Sequence, residues 1–271
     1  MDINSTVTLN NGINMPIFGL GTWEMKDAKQ TEKAILIALE LGYRHIDTAH
    51  VYGNEKSVGA AIKKSGIPRK EIFVTTKLWN DQHSDPEGAL EGSLKKLGLK
   101  YVDLYLMHFP VRNVRNRTWM AMEKLLDHEM TRAIGVSNFT IRHLDELLEK
   151  TKFVPAVNQV EFSPYLFQKE LHFYCRKRKI QLEAYSPLVR GRKMNDQRLI
   201  SMANSYKKKP AQLLIKWCLQ HNIVTIPKAI TEEHLKENCN VFDFEISKQD
   251  MKKLNMFNEN FRVCWDPSKE P

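Results

Sequence analysis

The sequence predicts an α/β protein built as a TIM (β/α)8 barrel, with an N-terminal β-hairpin before it and an extra C-terminal helix after it. Three observations predict this fold. Strand-like and helix-like segments alternate eight times, which favours parallel strands covered by helices. The chain has 271 residues, and such a barrel takes about 250. No stretch rich in glycine, proline and serine interrupts it, so we expect one domain over 1–271.

The first elements are a hairpin and a short strand. Residues 1–16 are predicted to form the β-hairpin, because Asn-Gly at 11–12 supplies the positive φ angles of a tight turn. The first barrel strand is expected at 17–23. Its Gly-Leu-Gly run at 19–21 lacks the third glycine and the following helix of a dinucleotide-binding loop. We therefore interpret the run as the end of the strand.

The other elements follow from apolar periodicity and from end signals. Gly42 and Gly98 are placed to end two helices, and Pro210 suits the first turn of another. The last helix begins near Ser247, where Ser-x-x-Asp resembles a capping box, and helix and tail occupy 247–271. Strands are expected at 17–23, 45–49, 72–78, 102–108, 131–137, 156–162, 180–186 and 223–227, and helices at 26–41, 55–65, 87–97, 118–128, 141–150, 169–178, 196–206, 210–220 and 232–240.

Composition and residue spacing argue against several classes of protein. No apolar run approaches the roughly 18 residues of a membrane helix, and residues 1–5 do not resemble a signal peptide. The four cysteines are scattered without a CxxC pair, so we expect reduced thiols and a cytoplasmic protein. The nine histidines show no metal-ligand spacing, so we expect no metal site.

The net charge of +9 fits either a nucleic-acid binder or a protein that favours anionic small molecules. The basic clusters at 176–179 and 207–209 lie at predicted helix ends, where cations complement the helix dipole and stay solvated. No aromatic-rich RNA-binding motif accompanies them. We therefore expect a monomer that acts on a small molecule, with neither nucleic acid nor membrane as partner.

Four polar residues follow successive predicted strands or the turn after them: Asp47, Tyr52, Lys77 and His108. The carboxyl ends of barrel strands converge on one mouth, so these side chains should meet there. An ammonium beside a phenol favours the phenolate and should lower the phenol pKa from about 10 toward 7. A carboxylate would orient the ammonium, and an imidazole could donate to a carbonyl oxygen. The residues predict a proton-transfer site.

Each of these residues also has a structural interpretation. A single aspartate or histidine at a strand end is as often a turn cap or a satisfied core group. Lys77 is harder to explain in that way, because lysines inside apolar strands are rare without a partner. The occurrence of all four in this order favours the functional interpretation.

Residues 42–55, GYRHIDTAHVYGNE, resemble the signature of the aldo-keto reductase superfamily, and the short loops resemble its compact microbial members. The resemblance implies a TIM barrel that transfers hydride from NADP(H), with NAD(H) as a second cofactor, to an aldehyde or ketone. It covers nearly the whole chain. Further similar segments lie at 76–79, 104–108, 133–139, 158–159, 184–188 and 226–228.

The resemblance also implies a role for individual residues. Tyr52 would donate the proton, Lys77 and Asp47 would adjust the acidity of its phenol, and His108 would orient the carbonyl. Tyr185 would stack on the nicotinamide ring. The residues implied to bind the cofactor are Thr22, Ser137, Asn138, Gln159, Tyr185, Ser186, Leu188, Lys228, Ala229, Thr231, His234, Glu237 and Asn238.

Two positions depart from the NADPH-preferring pattern of the family. Ala229 stands where a serine is usual, and His234 where an arginine is usual. Arginine offers a charged fork to a phosphate, whereas histidine is largely neutral at pH 7. The acidic pair at 232–233 weakens the local positive field, and Lys228 and Thr231 remain for a phosphate. The hypothesis is relaxed cofactor choice, with NADPH used and NADH more competitive than usual.

The substrate region is predicted to be compact. Trp23, Trp79 and Phe109 are expected to form the wall of the pocket, with Trp265 in the tail as a secondary candidate. The loop at 110–117 is short and basic, and its arginines at 112, 115 and 117 would either favour anionic substrates or lie in a solvated loop.

Two other functions have less support in the sequence. A cofactor-binding or structural protein on the same fold would be favoured by an altered Tyr52 or Lys77, and both are present. A metal-dependent barrel hydrolase lacks the ligand spacing.

Overall fold

The computed structural model describes residues 1–151 and 153–271, and the predicted TIM-type (β/α)8 fold is confirmed. Each strand of the main sheet is parallel to the next one along the chain, so strand order follows sequence order. The strands are β3 Leu20–Gly21, β4 His45–Asp47, β5 Phe73–Leu78, β6 Leu104–Met107, β7 Ile134–Ser137, β8 Val157–Glu161, β9 Gln181–Tyr185 and β10 Val224–Thr225. The predicted hairpin is β1 Thr6–Thr8 paired with β2 Asn14–Pro16.

Two backbone hydrogen bonds link the first strand region to the last. Gly19 N donates to Thr225 O at 3.0 Å, and Thr225 N donates to Ile17 O at 3.0 Å. This contact is a single bridge, between Phe18 and Thr225, rather than a ladder. The first and last strands of the sheet, β3 and β10, are therefore shorter than the strands predicted at 17–23 and 223–227.

Helices cover the strands in the predicted order. Gly42 and Gly98 have φ angles of +95° and +65°, the left-handed conformation expected after a helix end. Ser247 caps the last helix by accepting from Asp250 N. The helices are α1 Ala28–Glu40, α2 Glu55–Lys64, α3 Pro86–Leu97, α4 Arg115–Asp127, α5 Ile141–Leu148, α6 Lys169–Lys177, α7 Gln197–Ser205, α8 Pro210–Gln220, α9 Glu232–Cys239 and α10 Lys248–Asn255.

One helix begins earlier than the sequence predicts. The expected span was 118–128, whereas α4 starts at Arg115 and ends at Asp127. Its N-cap, Val114, offers no side-chain capping bond, so the usual start signal is missing. Elsewhere the basic clusters at 176–179 and 207–209 lie at helix ends, as expected. None of the helices described for 1–151 and 153–271 is both long and apolar enough to cross a membrane.

The Gly-Leu-Gly run at 19–21 is a packing feature of the first strand. A Cβ atom at Gly19 would lie 2.7 Å from His45 Nδ1, and one at Gly21 would lie 2.7 Å from Ile226 O. Gly19 thus leaves room for the His45 side chain, and Gly21 lets the backbone of Ile226 approach the strand closely. The interpretation of this run as the end of the strand, and not as a phosphate loop, is confirmed by β3.

Strand register places several polar side chains inside the barrel. Residues paired across parallel strands face the same side of the sheet, so Asp47 shares a face with Thr75, and Gln159 with Glu183. Such an interior is usually filled by branched apolar residues. Here part of it is polar and almost fully buried, and that part adjoins the mouth where the predicted site lies.

Candidate active site

A cavity of about 870 Å³ opens at the carboxyl ends of the strands. Most of the predicted site residues line this cavity, so they form one continuous site. The predicted residues in the wall are Trp23, Asp47, Tyr52, Trp79, His108, Phe109, Ser137, Asn138, Gln159, Tyr185, Ser186, Leu188, Lys228, Ala229, Thr231 and His234. Among the described residues, the wall does not include four that the sequence also suggested: Thr22, Lys77, Glu237 and Asn238.

Lys77 lies directly beneath the cavity floor. Its Nζ donates to Asp47 Oδ1 at 2.6 Å, to Thr48 O at 2.9 Å and to Tyr52 Oη at 3.3 Å. The side chain of Lys77 is 0 % exposed and that of Asp47 is 2 % exposed. An ammonium has three N–H donors, and each of them has an acceptor here. The buried pair is thus fully hydrogen-bonded on the lysine side and points at the phenol.

The phenol of Tyr52 holds its proton tightly. It lies at the end of a 3-10 turn, His50–Tyr52, which Gly53 ends with a φ of +70°. Burial, and after it the negative charge of Asp47, raises the pKa of Tyr52 well above its ordinary value. The expectation of a lowered pKa was therefore wrong, because burial and the charge of Asp47 both favour the protonated phenol. The phenol is protonated at neutral pH, and Lys77 is positioned to stabilise the phenolate that forms when the proton is transferred.

His108 is a neutral imidazole next to the phenol. Its ring lies 5.8 Å from the Tyr52 ring and 5.0 Å from the Trp79 ring. Burial, and after it the positive charge of Lys77, holds the pKa of His108 well below its ordinary value. A neutral imidazole keeps one N–H and can donate it to a carbonyl oxygen without carrying charge.

Four residues at the ends of adjacent strands form a hydrogen-bonded cluster beside this pair. Ser137 Oγ donates to the carbonyl oxygen of Gln159 at 2.8 Å, and Tyr185 Oη donates to Asn138 Oδ1 at 2.7 Å. Asn138 Nδ2 donates to His108 O at 2.9 Å. Asn138 itself has a φ of +65°, which asparagine tolerates better than most residues. These bonds order a polar shelf along one side of the cavity.

Gln159 reaches below the shelf. Its Nε2 donates to Asp47 Oδ2 at 2.8 Å and to Glu183 Oε2 at 2.9 Å. Glu183 is completely buried and was not among the sequence candidates. The sequence does indicate this residue, because a carboxylate between Leu182 and Ala184, in a strand predicted to be buried, is unusual without a partner.

The far end of the cavity is solvated. Lys228 and His234 are exposed, and Ala229 is buried without a hydroxyl. Thr231 caps α9, with its Oγ1 accepting from His234 N at 3.3 Å. Glu232 pairs with Lys236 on the same helix.

The other three predicted residues outside the wall lie in structural surroundings. Glu237 forms an ion pair with Lys209, and Asn238 is buried. Thr22 is also buried, and its Oγ1 donates to Asp47 O at 2.9 Å.

The substrate end has an aromatic wall that includes the tail. Trp265 lies 5.9 Å from Trp79 and 6.2 Å from Phe109 between ring centroids, although it is 64 % exposed. Glu161, which is buried, holds the tail there by accepting from Val263 N at 2.7 Å and Cys264 N at 3.0 Å. The secondary candidate Trp265 is therefore part of the wall, together with Trp23.

The basic loop does not reach the cavity. Arg115 belongs to α4, is buried, and is bonded to Glu146 and to Pro110 O. Both interpretations of this residue, as a substrate ligand and as a solvated side chain, were wrong. The cation that the sequence missed is Arg190, whose Nη1 lies 3.7 Å from Glu24 Oε1 and whose Nη2 donates to Cys264 Sγ at 3.4 Å. Other wall residues not predicted are Gly21, Val51, Pro187, Gly191, Ile226, Ile230 and Val263.

The donor set around the cavity suits a nicotinamide dinucleotide better than a metal. Amides and hydroxyls at 137, 138 and 159 can meet a carboxamide, and Arg190 and Lys228 supply positive charge for phosphates. The described residues contain no group of three or more His, Cys, Asp or Glu side chains that could hold a metal ion.

Comparisons with known proteins agree with this geometry. A family model described as "Aldo/keto reductase family" matches residues 17–259. The chain is 45 % identical over 269 residues to a glyoxal reductase of Bacillus subtilis, covering 98 % of each protein. It is 42 % identical to a methylglyoxal reductase of Escherichia coli, also over 98 % of each. The crystal structure of a Bombyx mori aldo-keto reductase in complex with NADP is similar at a TM-score of 0.92 and 35 % identity, covering 100 % of this chain and 99 % of that one.

Proposed function

The chain belongs to the aldo/keto reductase family, and from this membership we propose that it reduces small aldehydes, 1,2-dicarbonyl compounds foremost, to alcohols. It is an oxidoreductase that acts on carbonyl groups with a nicotinamide cofactor. The observation that carries the assignment of roles is the contact of Lys77 Nζ with both Asp47 Oδ1 and Tyr52 Oη beneath the cavity.

In the proposed mechanism a bound reduced cofactor would provide the hydride, and residues of the protein provide the proton. Tyr52 donates its proton to the carbonyl oxygen as negative charge develops there. Lys77 stabilises the resulting phenolate through its existing bond to Oη, and Asp47 keeps the ammonium charged and oriented. His108 donates an N–H to the same carbonyl oxygen. General acid catalysis of this kind contributes about 100-fold to 10,000-fold in rate.

The cofactor would lie along the polar shelf and the solvated end. Ser137, Asn138 and Gln159 would hold the carboxamide, and Tyr185 would face the nicotinamide ring. Ser186, Leu188 and Arg190 are in the wall where the pyrophosphate would pass.

The preference for small dicarbonyl substrates rests on the walls and on the relatives. Trp23, Trp79, Phe109 and Trp265 enclose the substrate end with apolar surface. A cofactor would fill much of the cavity, so the remaining space suits a compact substrate. Two relatives are named glyoxal reductase and methylglyoxal reductase. A substrate carboxylate would find one arginine in the wall, Arg190, which already faces Glu24.

Relaxed cofactor choice is part of the proposal. Lys228 is exposed and available to the 2′-phosphate of NADPH. Ala229 offers no hydroxyl, Thr231 is engaged in capping α9, and His234 lacks the fork of an arginine. We expect NADPH to be used, with NADH at a measurable fraction of its kcat/KM. Steady-state kinetics with both cofactors checks this, and a preference for NADPH of about a thousandfold or more would contradict it.

The activity is tested by cofactor binding and turnover measured together. NADPH should quench tryptophan fluorescence, and glyoxal, methylglyoxal and simple aldehydes should be reduced at neutral pH. Quenching without turnover of any aldehyde, dicarbonyl or keto-sugar would favour a cofactor-binding protein instead. Turnover that does not need a nicotinamide cofactor would contradict the proposal altogether.

We further propose that residues 1–271 act as one domain, as a monomer and in the cytoplasm. One hydrophobic core extends from Val7 in the hairpin to Phe257 after α10, which supports a single folding unit. The scattered cysteines, of which Cys175 and Cys218 are buried, suit a reducing compartment. Light scattering of the eluted protein would give the mass, and one cooperative unfolding transition is expected.

A further inference from the structure

A second buried carboxylate lies behind the catalytic pair. Glu183, at the centre of β9, is 0 % exposed. Its Oε2 accepts from Gln159 Nε2 at 2.9 Å, and the same nitrogen donates to Asp47 Oδ2 at 2.8 Å. One amide thus joins two carboxylates, and the chain of contacts continues through Lys77 to Tyr52.

This arrangement sets the orientation of the Gln159 amide. Both acceptors lie on its nitrogen side, and the flipped amide would place its oxygen against the ionised carboxylate of Asp47. The observed orientation leaves Gln159 Oε1 as the atom able to accept a bond from a ligand in the cavity, because Gln159 also lines that cavity. Glu183 therefore helps to decide which group Gln159 offers to a ligand.

The charges around Glu183 do not balance if it is ionised. The titratable groups that face it are Asp47 and His45 from β4 and Lys77 from β5, while β8 contributes the neutral Gln159 and β10 the apolar Val224. Burial, and after it the charge of Lys77, lowers the pKa of His45 to about 3, so that ring is neutral. Lys77 is matched by Asp47 alone, and Glu183 would add an uncompensated charge.

Glu183 carries a proton at neutral pH for this reason. Burial, and after it the charge of Asp47, raises the pKa of Glu183 to about 8. The remaining oxygen, Oε1, has no hydrogen-bond partner among the described residues and lies 3.6 Å from His45 Nε2. A protonated carboxyl tolerates such a site, whereas a carboxylate there lacks a compensating contact.

From these contacts we propose that Glu183 is a positioning residue of the reductase site, which orients Gln159 and whose loss of a proton weakens Tyr52 as an acid. The inference rests on the proposed function for its kinetic consequence. When Glu183 ionises, a second negative charge joins Asp47 behind the phenol, and that charge disfavours the phenolate. Carbonyl reduction should therefore slow as the pH rises through about 8.

The test compares Glu183→Gln with the wild-type enzyme over pH 6 to 10. Glutamine keeps an oxygen that can accept from Gln159 and removes the titration. The wild-type kcat/KM should fall by at least about fivefold around the ionisation of Glu183, because at an effective dielectric constant of about 20 a unit charge exceeds that effect at any separation below about 17 Å. Glu183→Gln should lack this decline, whatever its activity near pH 7. An unchanged alkaline decline in Glu183→Gln would overturn the proposal.

A matched control is Glu55→Gln. Glu55 is also buried, and its Oε1 accepts from Thr76 Oγ1 at 2.8 Å, on the face of β5 opposite to Lys77. This variant should keep the wild-type pH profile. Glu183→Leu, which also removes the acceptor, should weaken NADPH binding about fivefold, the value of one net hydrogen bond. If Glu183→Leu does not fold, the Glu183→Gln profile still decides.

A stability measurement is independent of turnover. A carboxyl that stays protonated in the folded state above its ordinary pKa of 4.5 loses its stabilising contribution as the pH rises from there to about 8. Glu183→Gln should therefore become steadily more resistant to urea than the wild type over this window. If the difference in urea resistance between Glu183→Gln and the wild type did not change with pH, the proposal that Glu183 is protonated would be overturned. Absence of wild-type turnover with the expected urea trend would contradict only the proposed function.

Discussion

The two ends of the cavity are built in different ways. At the proton-transfer end, Asp47, Lys77 and Glu183 are buried on strands, and each has a hydrogen-bond partner within 2.9 Å. At the adenosine end, Lys228 and His234 are exposed on the loop and helix that follow β10. Water can take the place of a lost contact at the second end but not at the first.

This difference predicts where a substitution acts strongly. Removing one member of a buried pair leaves a charge that neither solvent nor a neighbour neutralises. Removing an exposed charge changes an interaction that solvent already weakens. The chemistry should therefore depend sharply on single atoms at the buried end, and cofactor preference should respond in small steps at the exposed end.

The largest effect is expected from Lys77→Met. The substitution leaves Asp47 buried without its counter-ion, so the free energy of unfolding should fall by about 3–5 kcal/mol. Turnover should also fall by at least about 100-fold, because the phenolate of Tyr52 loses its stabilising donor. Urea unfolding and kcat/KM with methylglyoxal measure the two losses.

The double variant Asp47→Asn with Lys77→Met separates them. Neutralising Asp47 removes the buried charge, so much of the stability should return while turnover stays low. Recovery of turnover together with stability would show that the pair acts only in folding.

A middle-sized effect is expected where the tail closes the substrate end. Glu161→Gln offers one amide oxygen and a non-accepting NH2 group in place of two carboxylate oxygens to Val263 N and Cys264 N, so the position of Trp265 loosens. KM for methylglyoxal should rise by about fivefold, the value of one hydrogen bond, with kcat little changed. Trp265→Ala should raise KM in the same way, and an effect of either variant on kcat alone would contradict a role in the wall.

The smallest effect is expected at the adenosine end. His234→Arg adds a charged fork at an exposed position, so the NADPH/NADH ratio of kcat/KM should rise by about twofold to fivefold, as for exposed ion pairs. The gain should shrink at high salt, because exposed charges are screened. Ala229→Ser serves as a neutral comparison, which should move the ratio less and with little salt dependence. A ratio that does not move with His234→Arg would exclude this position from phosphate binding.

The sequence predicted the features that depend on neighbouring residues and missed those that depend on long-range contacts. The strand ends that carry Asp47, Tyr52, Lys77 and His108 follow from local periodicity, and the structure brings these residues together. The start of α4 did not follow, because Val114 gives no capping signal and Arg115 is held by Glu146, which lies 31 residues later on α5. Local patterns report neighbours along the chain, and this contact joins residues that are far apart.

Long-range contacts also explain the other differences. Glu161, about one hundred positions earlier, helps to hold the tail that brings Trp265 to the wall. The pKa of Tyr52 depends on burial, which the arrangement of charges along the sequence does not reveal. Glu183 was visible as a carboxylate in an apolar strand, but its partner Gln159 is known only from the register of β8 and β9.

Tyr52→Phe tests the central claim most directly, because it removes one oxygen from the buried end. The quantities to measure are kcat/KM with methylglyoxal and the NADPH dissociation constant from fluorescence quenching. We expect kcat/KM to fall by at least about 100-fold, the usual contribution of a general acid, while the dissociation constant stays within about twofold, since the phenol is not among the cofactor contacts proposed. Retention of wild-type turnover in Tyr52→Phe would contradict the assignment of Tyr52 as the proton donor.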